Sequence, residues 1–531
     1  MNKLNILDCT LRDGGYVNNW NFGNKIIRKI LKGLSNAHID IVEVGFLSDV
    51  NYNGEQTIYS SQIQLKELLP EQSNCKYVAM IALGEKEISY EKVGVCEEDT
   101  IWGIRLTFHK NEIERSFEFA QNLMNKGYQI FMQPIGTCTY SDKELLELVE
   151  KINNLNPYAF SIVDTLGTIT GPELIRLFHL VDNNLNENIR IGFHSHNNLQ
   201  LSFSNAQELV HMFSKREVII DASVLGMGRG AGNLCTELIA QYMNEKLGSN
   251  YNVTALLEIV DKYLLSIKEE HPWGYSIPYY IAAINKCHPN YATFLMNLQT
   301  VNVEDIEKII ASIPSSKRAV YDKNCISELY RAYQNNFVDD RENIYRLSNI
   351  LRDKNILILA PGLTLVTEED KIRDYIHEKN PYIVSVNFCS EIYSQDMIFI
   401  SNLKRFENFD FDSGDICYKE LVVTSNISVD CSQDIYKINY SSYLNSEQMI
   451  ADNAGLMLLN FLCECGVKKV ALAGFDGFNV SAENNFYNKK LYNNVEADML
   501  LVKTEKIGEQ IRRLKQKLDI FFVTQTYYEK E

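Results

Sequence analysis

Short apolar runs rich in β-branched and aromatic residues alternate with amphipathic segments of helical period over the first 250 residues. This strand-then-helix order predicts parallel strands joined by right-handed crossovers. The predicted strands are Asn5–Cys9, Ile41–Phe46, Tyr77–Leu83, Gly103–Phe108, Tyr128–Gln133, Ala159–Asp164, Ile189–His194 and Val218–Val224. The clearest predicted helices are Asn24–Leu34, Ile113–Met124, Asp142–Asn153, Pro172–Asp182 and Leu234–Leu247.

Eight such units are the number at which a parallel sheet closes into a (β/α)8 TIM barrel, so we expect one over residues 1–250. An open doubly wound sheet is the alternative, but the glycine fingerprint that binds phosphate in such sheets is missing after the first strand. A barrel carries its chemistry where strands end. Polar residues stand at these places: Arg12 and Asp13, Glu43, His109, Asp164 and Thr165, His194 and His196, and the loop 226–233.

The remainder of the chain divides into two further predicted regions. Residues 251–350 read as helices, and we expect a helical extension that covers the barrel or forms a subunit contact. Residues 351–531 return to alternating strands and helices, beginning with the apolar run NILILAPG at Asn355–Gly362. This second α/β region is predicted to be a Rossmann-like domain.

Composition restricts the class of protein further. The chain has 531 residues, a formal net charge of -17 and no compensating basic stripe, which argues against nucleic-acid binding. The sequence contains no run of about 18 apolar residues, so no membrane-spanning helix is predicted. The first residues lack an apolar signal-peptide core, so we expect a cytoplasmic protein whose 12 cysteines are reduced.

The segment GFHSHNNL, from Gly192 to Leu199, carries the strongest chemical signal. Side chains two apart on a strand face the same way, so His194 and His196 present two imidazoles to one side. Asp13 can add a carboxylate oxygen and Asn233, in GMGRGAGN, a carbonyl oxygen. This donor set favours Mn²⁺ or Mg²⁺ over a closed zinc site. The alternative is a structural histidine pair.

Arg12 lies beside the predicted anionic ligand Asp13. An arginine stays protonated and so cannot act as a base, but it can stabilise negative charge that develops on oxygen. The alternative is that Arg12 and Asp13 only neutralise each other.

The motifs LDCTLRDGG, GFHSHNNLQLSFSNA and GMGRGAGN together resemble the HMG-CoA lyase-like superfamily of metal-dependent barrels with a TLRD motif after the first strand. Among its branches the chain is most similar to the 4-hydroxy-2-oxovalerate aldolases, because RDG is not followed by the Glu-Gln of the acyl-CoA condensing branch. The resemblance covers roughly residues 4–300.

The resemblance implies an aldolase that joins pyruvate, or a related 2-oxo acid, to an aldehyde or separates them through a metal-bound enolate. Asp13, His194 and His196 then match the metal ligands, and Arg12 the residue that stabilises the enolate. Asn233 matches the asparagine after the eighth strand. Thr165 matches a hydroxyl near the substrate carboxylate. A homo-oligomer and a partner enzyme that processes the aldehyde are further expectations.

One position departs from the aldolase pattern. The histidine that serves as general base in those enzymes stands three residues after the metal-binding aspartate, where this chain has Tyr16. A tyrosine has a pKa near 10 and needs a nearby cation or metal to accept a proton at neutral pH. His109 or a metal-bound water is the alternative base.

The C-terminal region faintly resembles the Rossmann-like domains of certain bacterial sialyltransferases. The similarity rests on APGLTL at Ala360–Leu365 and on the helix-to-strand segment 453–478, which contains Asp476. Two alternatives to an aldolase therefore stay open. One is a Claisen-type enzyme that condenses an acyl-CoA, and the other is a bifunctional protein whose C-terminal domain binds a nucleotide sugar.

Overall fold

The computed structural model describes residues 4–212, 214–407, 409, 418–428, 435–478, 486 and 497–529 of the chain. The chain divides into two compact units, one formed by residues 1–289 and 318–320 and the other by residues 290–317 and 321–531. The three-part division predicted above, with boundaries near 250 and 350, stays a prediction. In the described ranges, no helix combines the length and hydropathy that crossing a lipid bilayer requires.

Eight parallel strands close into a barrel in the first unit, which confirms the predicted fold class. The strands follow one another in chain order, and the first pairs with both the second and the eighth. They are β1 (Leu4–Asp8), β2 (Ile41–Leu47), β3 (Lys76–Ala82), β4 (Gly103–Phe108), β5 (Gln129–Pro134), β6 (Ala159–Asp164), β7 (Arg190–Ser195) and β8 (Val218–Ala222). A two-residue strand, Ile58–Tyr59, adds to β2 and was not predicted.

Helices surround this barrel, except after β2 and β3, where the described chain has no α-helix and only the 3₁₀ helix Gln62–Leu65. The helices of the unit are Gly15–Asn18, Asn24–Asn36, Ile113–Asn125, Asp142–Leu155, Gly171–Asn184, Ser202–His211, Thr236–Leu247, Val253–Ile259, Leu265–Glu270 and Ile277–Ile284. The helix Asp142–Leu155 shows why they form. Ser141 caps its first turn by accepting from the amide of Glu144, and apolar residues at helical spacing bury one face.

The barrel interior is built in two layers by the alternation of side chains along the strands. The lower layer is an apolar cluster drawn from six strands: Leu7, Cys9, Ile41, Val78, Phe131, Ala159 and Ile219. Two residues further along, where side chains face the same way, four strands place buried polar residues instead. These are Glu43, Gln133, Ser161 and Asp221. The polar layer therefore lies nearer the carboxyl ends of the strands.

The second unit contains a seven-stranded parallel sheet, which confirms an α/β region after the barrel. Its strands are β9 (Asn355–Leu359), β10 (Tyr382–Val386), β11 (Met397–Ile400), β12 (Glu420–Thr424), β13 (Ile435–Ile438), β14 (Lys469–Ala473) and β15 (Asp519–Phe522). Their order is β13-β12-β11-β10-β9-β14-β15. The direction of winding therefore reverses between β9 and β14. The strand β13 was not predicted from the sequence.

Helices Val303–Ala311, Lys323–Gln334, Arg341–Leu351, Thr364–Thr367, Glu369–Lys379, Leu403–Phe406, Ala454–Glu464 and Ala497–Leu514 accompany this sheet, and Pro289–Leu298 begins at the boundary between the units. The helix Ala454–Glu464 is apolar on most of its surface because it is buried in the main core of the unit.

Candidate metal centre

Asp13, His194 and His196 meet beyond the carboxyl ends of β1 and β7. Each offers one ligand atom, and these three atoms all lie within 4.8 Å of one another. The two imidazole rings stand with their centroids 5.0 Å apart, as expected for side chains two residues apart at the end of a strand. The structure thus brings together three of the four predicted ligands.

Both imidazoles are oriented by a partner on Nδ1, which leaves Nε2 available. His194 Nδ1 lies 2.9 Å from Asp221 Oδ2, and His196 Nδ1 lies 3.1 Å from the carbonyl oxygen of Asp164. Burial lowers the pKa of His194 and outweighs the opposing effect of Asp221, so this imidazole is neutral. Neutral, hydrogen-bonded imidazoles with one nitrogen directed into a site are the usual form of metal-binding histidine.

Asn233, the fourth predicted ligand, lies against the same carboxylate. Its Nδ2 donates to Asp13 Oδ2 over 2.6 Å, while its Oδ1 is buried with no hydrogen-bond partner among the described residues. An unpartnered buried acceptor is costly, and a cation would satisfy it. Gly228 is needed beside this pair, because a Cβ atom at that position would lie 2.4 Å from Asn233 Nδ2. Two nitrogen and two oxygen donors fit a divalent ion such as Mn²⁺ or Mg²⁺.

Asp13 is ionised in this setting. Burial raises the pKa of its carboxyl, but Arg12 and, to a smaller extent, His196 lower this pKa by more. The pKa of Asp13 therefore lies well below its ordinary value. Arg12 Nη1 donates to Asp13 Oδ1 over 2.6 Å, so the pairing considered as an alternative above does exist. It engages only one carboxylate oxygen. The other, Oδ2, faces His196 Nε2 at 3.6 Å.

A chain of buried charges of alternating sign connects the two sides of the cluster. Arg12 Nε donates to Glu43 Oε2 over 2.8 Å, and Arg105 Nη1 donates to the same oxygen over 2.9 Å. Arg105 Nη2 contacts Asp221, which holds His194. We call Arg12, Glu43, Arg105 and Asp221 the charge chain; it runs from Asp13 to His194, two of the candidate ligands.

Arg105 and Asp221 were not predicted as residues of the site. Each is a single charged residue inside an otherwise apolar strand, GIRLTF for Arg105 and VIIDA for Asp221. A charge at such a position must be paired once the strand is buried, and this was the signal available from the sequence. Glu43 stands out in the same way within IVEVGFL.

Tyr16 lies next to the charge chain, in an aromatic cluster with Trp20 and Phe46. Its ring centroid is 4.7 Å from that of Trp20 and 6.4 Å from that of Phe46. Burial raises the pKa of Tyr16 to about 12, although Arg12 and Arg229 act in the opposite direction. The phenol is therefore protonated at neutral pH and available as a hydrogen-bond donor.

The two remaining predicted residues have other neighbours. His109 Nε2 lies 3.5 Å from Glu85 Oε1, and this contact raises the pKa of the histidine. Its described side-chain contacts do not include the three-ligand cluster. Thr165 Oγ1 accepts from the amide of Gly136 over 2.8 Å, which leaves its hydroxyl hydrogen free to donate.

The barrel and the set of donor atoms define the class of protein. It is a (β/α)8 protein with a two-histidine, one-carboxylate centre at the carboxyl ends of its strands. Residues 102–262 match the model of the HMGL-like family. This match includes two of the three motifs on which the predicted resemblance rests, GFHSHNNLQLSFSNA and GMGRGAGN, and confirms that resemblance.

Three known proteins illustrate the similarity. The chain is 23% identical over 243 residues to the oxaloacetate decarboxylase of Mycobacterium tuberculosis, covering 45% of this chain and 70% of that protein. It is 24% identical over 262 residues to the 4-hydroxy-2-oxovalerate aldolase of Pseudoalteromonas translucida, covering 49% of this chain and 74% of the relative. The structure of the HMG-CoA lyase from Brucella melitensis shares 15% identity, with a TM-score of 0.41, over 51% of this chain and 100% of that one.

Proposed function

We propose that the barrel is a divalent-metal-dependent lyase that breaks or forms the carbon–carbon bond between pyruvate, or a related 2-oxo acid, and an aldehyde. The observation that carries this proposal is the convergence of Asp13, His194 and His196 beside a buried arginine. Both curated relatives bear names of enzymes that cleave a carbon–carbon bond, which supports a lyase.

Asp13, His194 and His196 would hold the ion, with Asn233 Oδ1 as a fourth donor. When bound, a divalent ion supplies Lewis acidity to the keto oxygen of a 2-oxo acid. Asp221 and the carbonyl of Asp164 keep the two imidazoles in the tautomer that can bind a metal.

Arg12 supplies a fixed positive charge to the oxygen that becomes negative when C3 of the 2-oxo acid loses a proton to solvent water. Burial alone would favour the neutral guanidine, but Glu43 and Asp13 raise the pKa of Arg12 well above its ordinary value. Because Glu43 and Asp13 also fix the position of the guanidinium, little reorganisation is needed when charge develops.

Tyr16 is proposed as the proton donor in the condensation direction. The C3 carbanion forms a bond to the aldehyde carbon, and the aldehyde oxygen takes the phenolic proton as the carbonyl π bond breaks. In cleavage the same proton returns from the 4-hydroxyl group. A protonated phenol with a pKa of about 12 suits the first direction without any tuning.

Thr165 is proposed to donate a hydrogen bond to the substrate carboxylate, since Gly136 occupies its acceptor side. His109 is proposed as the alternative proton-transfer group, at the edge of the site. Its pairing with Glu85 keeps it protonated to a higher pH than a free histidine.

The test is exchange of the pyruvate methyl protons for deuterium in D₂O with Mg²⁺, followed by NMR. We expect exchange with the metal and none without it, and loss of exchange in Asp13→Ala and His194→Ala. His211→Ala is the matched control, because this exposed histidine bonds only to Tyr242 Oη among the described residues. Adding an aldehyde should then consume pyruvate, whereas an acyl-CoA should not. A metal-loaded enzyme with neither activity would disprove the proposal.

We also propose that the second unit binds a nucleotide or nucleotide sugar. A cavity of about 240 Å³ lies beyond the carboxyl ends of β9 and β14, and it is lined by Gly362, Gly474 and the cationic side chains Arg405 and Lys503. Ligands of open α/β sheets bind at this reversal point. Asp476 fixes the adjoining loop by accepting from the amide of Thr364 over 2.9 Å.

Thermal unfolding of the full chain with nucleoside mono- and diphosphates and their sugar conjugates tests this second proposal. We expect one of these compounds to raise the melting temperature of the wild type and not that of Lys503→Met. Lys506→Met is the control, because Lys506 pairs with Glu509 on the same helix. If no compound shifts the wild-type transition, the second proposal is wrong.

A further inference from the structure

Two partly buried cations from different loops converge on Tyr16. Lys86 follows β3, and its Nζ lies 5.7 Å from the Tyr16 ring centroid and 4.2 Å from that of Trp20. Arg229 follows β8, and its Cζ lies 5.5 Å from the Tyr16 ring centroid. Aromatic faces attract cations, so Tyr16 and Trp20 hold both groups at one place.

These two cations differ from the other buried cations of the barrel. Arg12 and Arg105 each contact two carboxylates, and Arg216 pairs with Asp182 at 2.6 Å. For Lys86 and Arg229, no carboxylate oxygen lies within 4.0 Å in the described part of the chain. A cation removed from water without an anion is unfavourable, and a bound anion would relieve that cost.

No group near the two cations forms an ion pair with either of them within 4.0 Å among the described residues. Arg229 donates to His288 Nε2. Burial, assisted by Arg229, lowers the pKa of His288 to about 3, so the ring is neutral and brings no negative charge. Burial lowers the pKa of Lys86 despite the opposing charge of Glu85, its neighbour in the chain. The Glu85 carboxylate contacts His109 at 3.5 Å, and its pKa is lowered by His109 first and by Arg229 and Lys86 to a smaller extent. Glu85 thus compensates the two cations only from beyond 4.0 Å.

The pair lies beside the metal centre without belonging to it. The backbone at Gly228 packs against Asn233 and Asp13, and the next residue, Arg229, extends over Tyr16. Arg12 already provides the cation next to the ligand cluster. Lys86 and Arg229 therefore share Tyr16 as a common neighbour next to the metal centre.

We propose that Lys86 and Arg229 bind an anionic group, phosphate or carboxylate, at the far end of the aldehyde. This inference rests on the proposed lyase function and specifies its substrate: an aldehyde that carries a second, negatively charged group. Arginine and lysine bind both anions by charge-assisted hydrogen bonds, so the two sources share one chemistry. Such contacts should favour an anionic over a neutral aldehyde by roughly 100-fold in kcat/KM.

The experiment measures kcat/KM for condensation of pyruvate with paired aldehydes. Glycolaldehyde phosphate is compared with glycolaldehyde, and succinic semialdehyde with butanal, so the two pairs separate phosphate from carboxylate. We expect the wild type to prefer the anionic member of at least one pair. Lys86→Met and Arg229→Met should each reduce that ratio by about tenfold or more, and Arg229→Lys should restore part of it.

Lys110→Met is the matched control. Lys110 Nζ also lies on an aromatic ring, 4.3 Å from the Tyr140 centroid, but it pairs with Glu144 at 3.1 Å. In this variant, the ratio of kcat/KM for the anionic aldehyde to kcat/KM for the neutral aldehyde should equal that of the wild type. Deuterium exchange of pyruvate alone separates the two levels of inference. Exchange with equal kcat/KM for anionic and neutral aldehydes overturns the anion site and leaves the lyase standing, whereas no exchange overturns both.

Discussion

Replacing Arg105 by methionine should separate the contribution of the charge chain to stability from its contribution to metal binding. Arg105 is buried, with 1% of its surface exposed, and bridges Glu43 and Asp221. Methionine has a similar length but no charge. The substitution leaves two buried carboxylates with one fewer cation between them.

The expected losses of stability and of metal affinity follow from these contacts. The three carboxylates of Asp13, Glu43 and Asp221 and the two guanidinium groups of Arg12 and Arg105 sum to one net negative charge, which the variant raises to two. Removing one partner of a buried ion pair costs about 3–5 kcal/mol, so we expect that loss in the free energy of unfolding. Asp221 also loses the contact that fixes it against His194. Loss of such support should weaken Mn²⁺ binding by about 10- to 100-fold.

Two measurements distinguish these effects. All three tryptophans, Trp20, Trp102 and Trp273, belong to the barrel unit, so urea unfolding followed by tryptophan fluorescence reports on the barrel. Calorimetric titration with Mn²⁺ measures metal affinity. Arg216→Met is the control. Arg216 is similarly buried and pairs with Asp182, but it precedes β8 and makes no described contact with the charge chain.

The control should lose stability and keep its affinity for Mn²⁺. If Arg105→Met binds Mn²⁺ as tightly as the wild type, the charge chain does not position the ligands. If it unfolds at the wild-type urea concentration, the two carboxylates are not held by Arg105 in the way described.

Three further predictions follow from individual contacts. Gly228→Ala should weaken Mn²⁺ binding at least tenfold by calorimetry, because its methyl group would lie 2.4 Å from the nearest side-chain nitrogen, while Gly171→Ala, with open space around it, should not. Tyr16→Phe should lower kcat for aldehyde condensation by about 100-fold, and unaltered kinetics would shift the proton-transfer role to His109 or solvent. Burial raises the pKa of Asp8 to about 6, so its contribution to stability is present below the unfolded pKa near 3.8 and is lost as the pH rises through 6. Measured by urea unfolding, Asp8→Asn should therefore gain about 3 kcal/mol relative to the wild type between about pH 4 and pH 7.5, and a difference that does not change with pH would contradict this.

The barrel could be predicted because its strands are buried on both sides and so read as continuous apolar runs separated by helical periods. Strands Ile58–Tyr59 and Ile435–Ile438 were missed for the opposite reason: both are short, and the second is only half-buried along most of its length. The absence of α-helices from the described chain after β2 and β3 was not predicted either, although those segments carry the turn residues Asn53-Gly54, Pro70 and Gly84.

The candidate metal ligands were predictable because local spacing and position at strand ends identify them. The charge chain was not, because Arg12 follows β1 while its other members lie on β2, β4 and β8, and the four meet only across the barrel. Which buried charge pairs with which depends on the register and closure of the barrel, which one sequence does not specify. The two cations over Tyr16 were not predicted for the same reason, because Lys86 and Arg229 are far apart in the chain.

The closure of the barrel gives the metal centre a place in the order of folding. Asp13 follows the first strand and the two histidines end the seventh, and the gap between these strands is filled by the eighth, which pairs with both. A growing polypeptide therefore carries Asp13, His194 and His196 before these three side chains can meet. A cation bound by all three would report that synthesis has passed the last strand and that the ring of strands is closed.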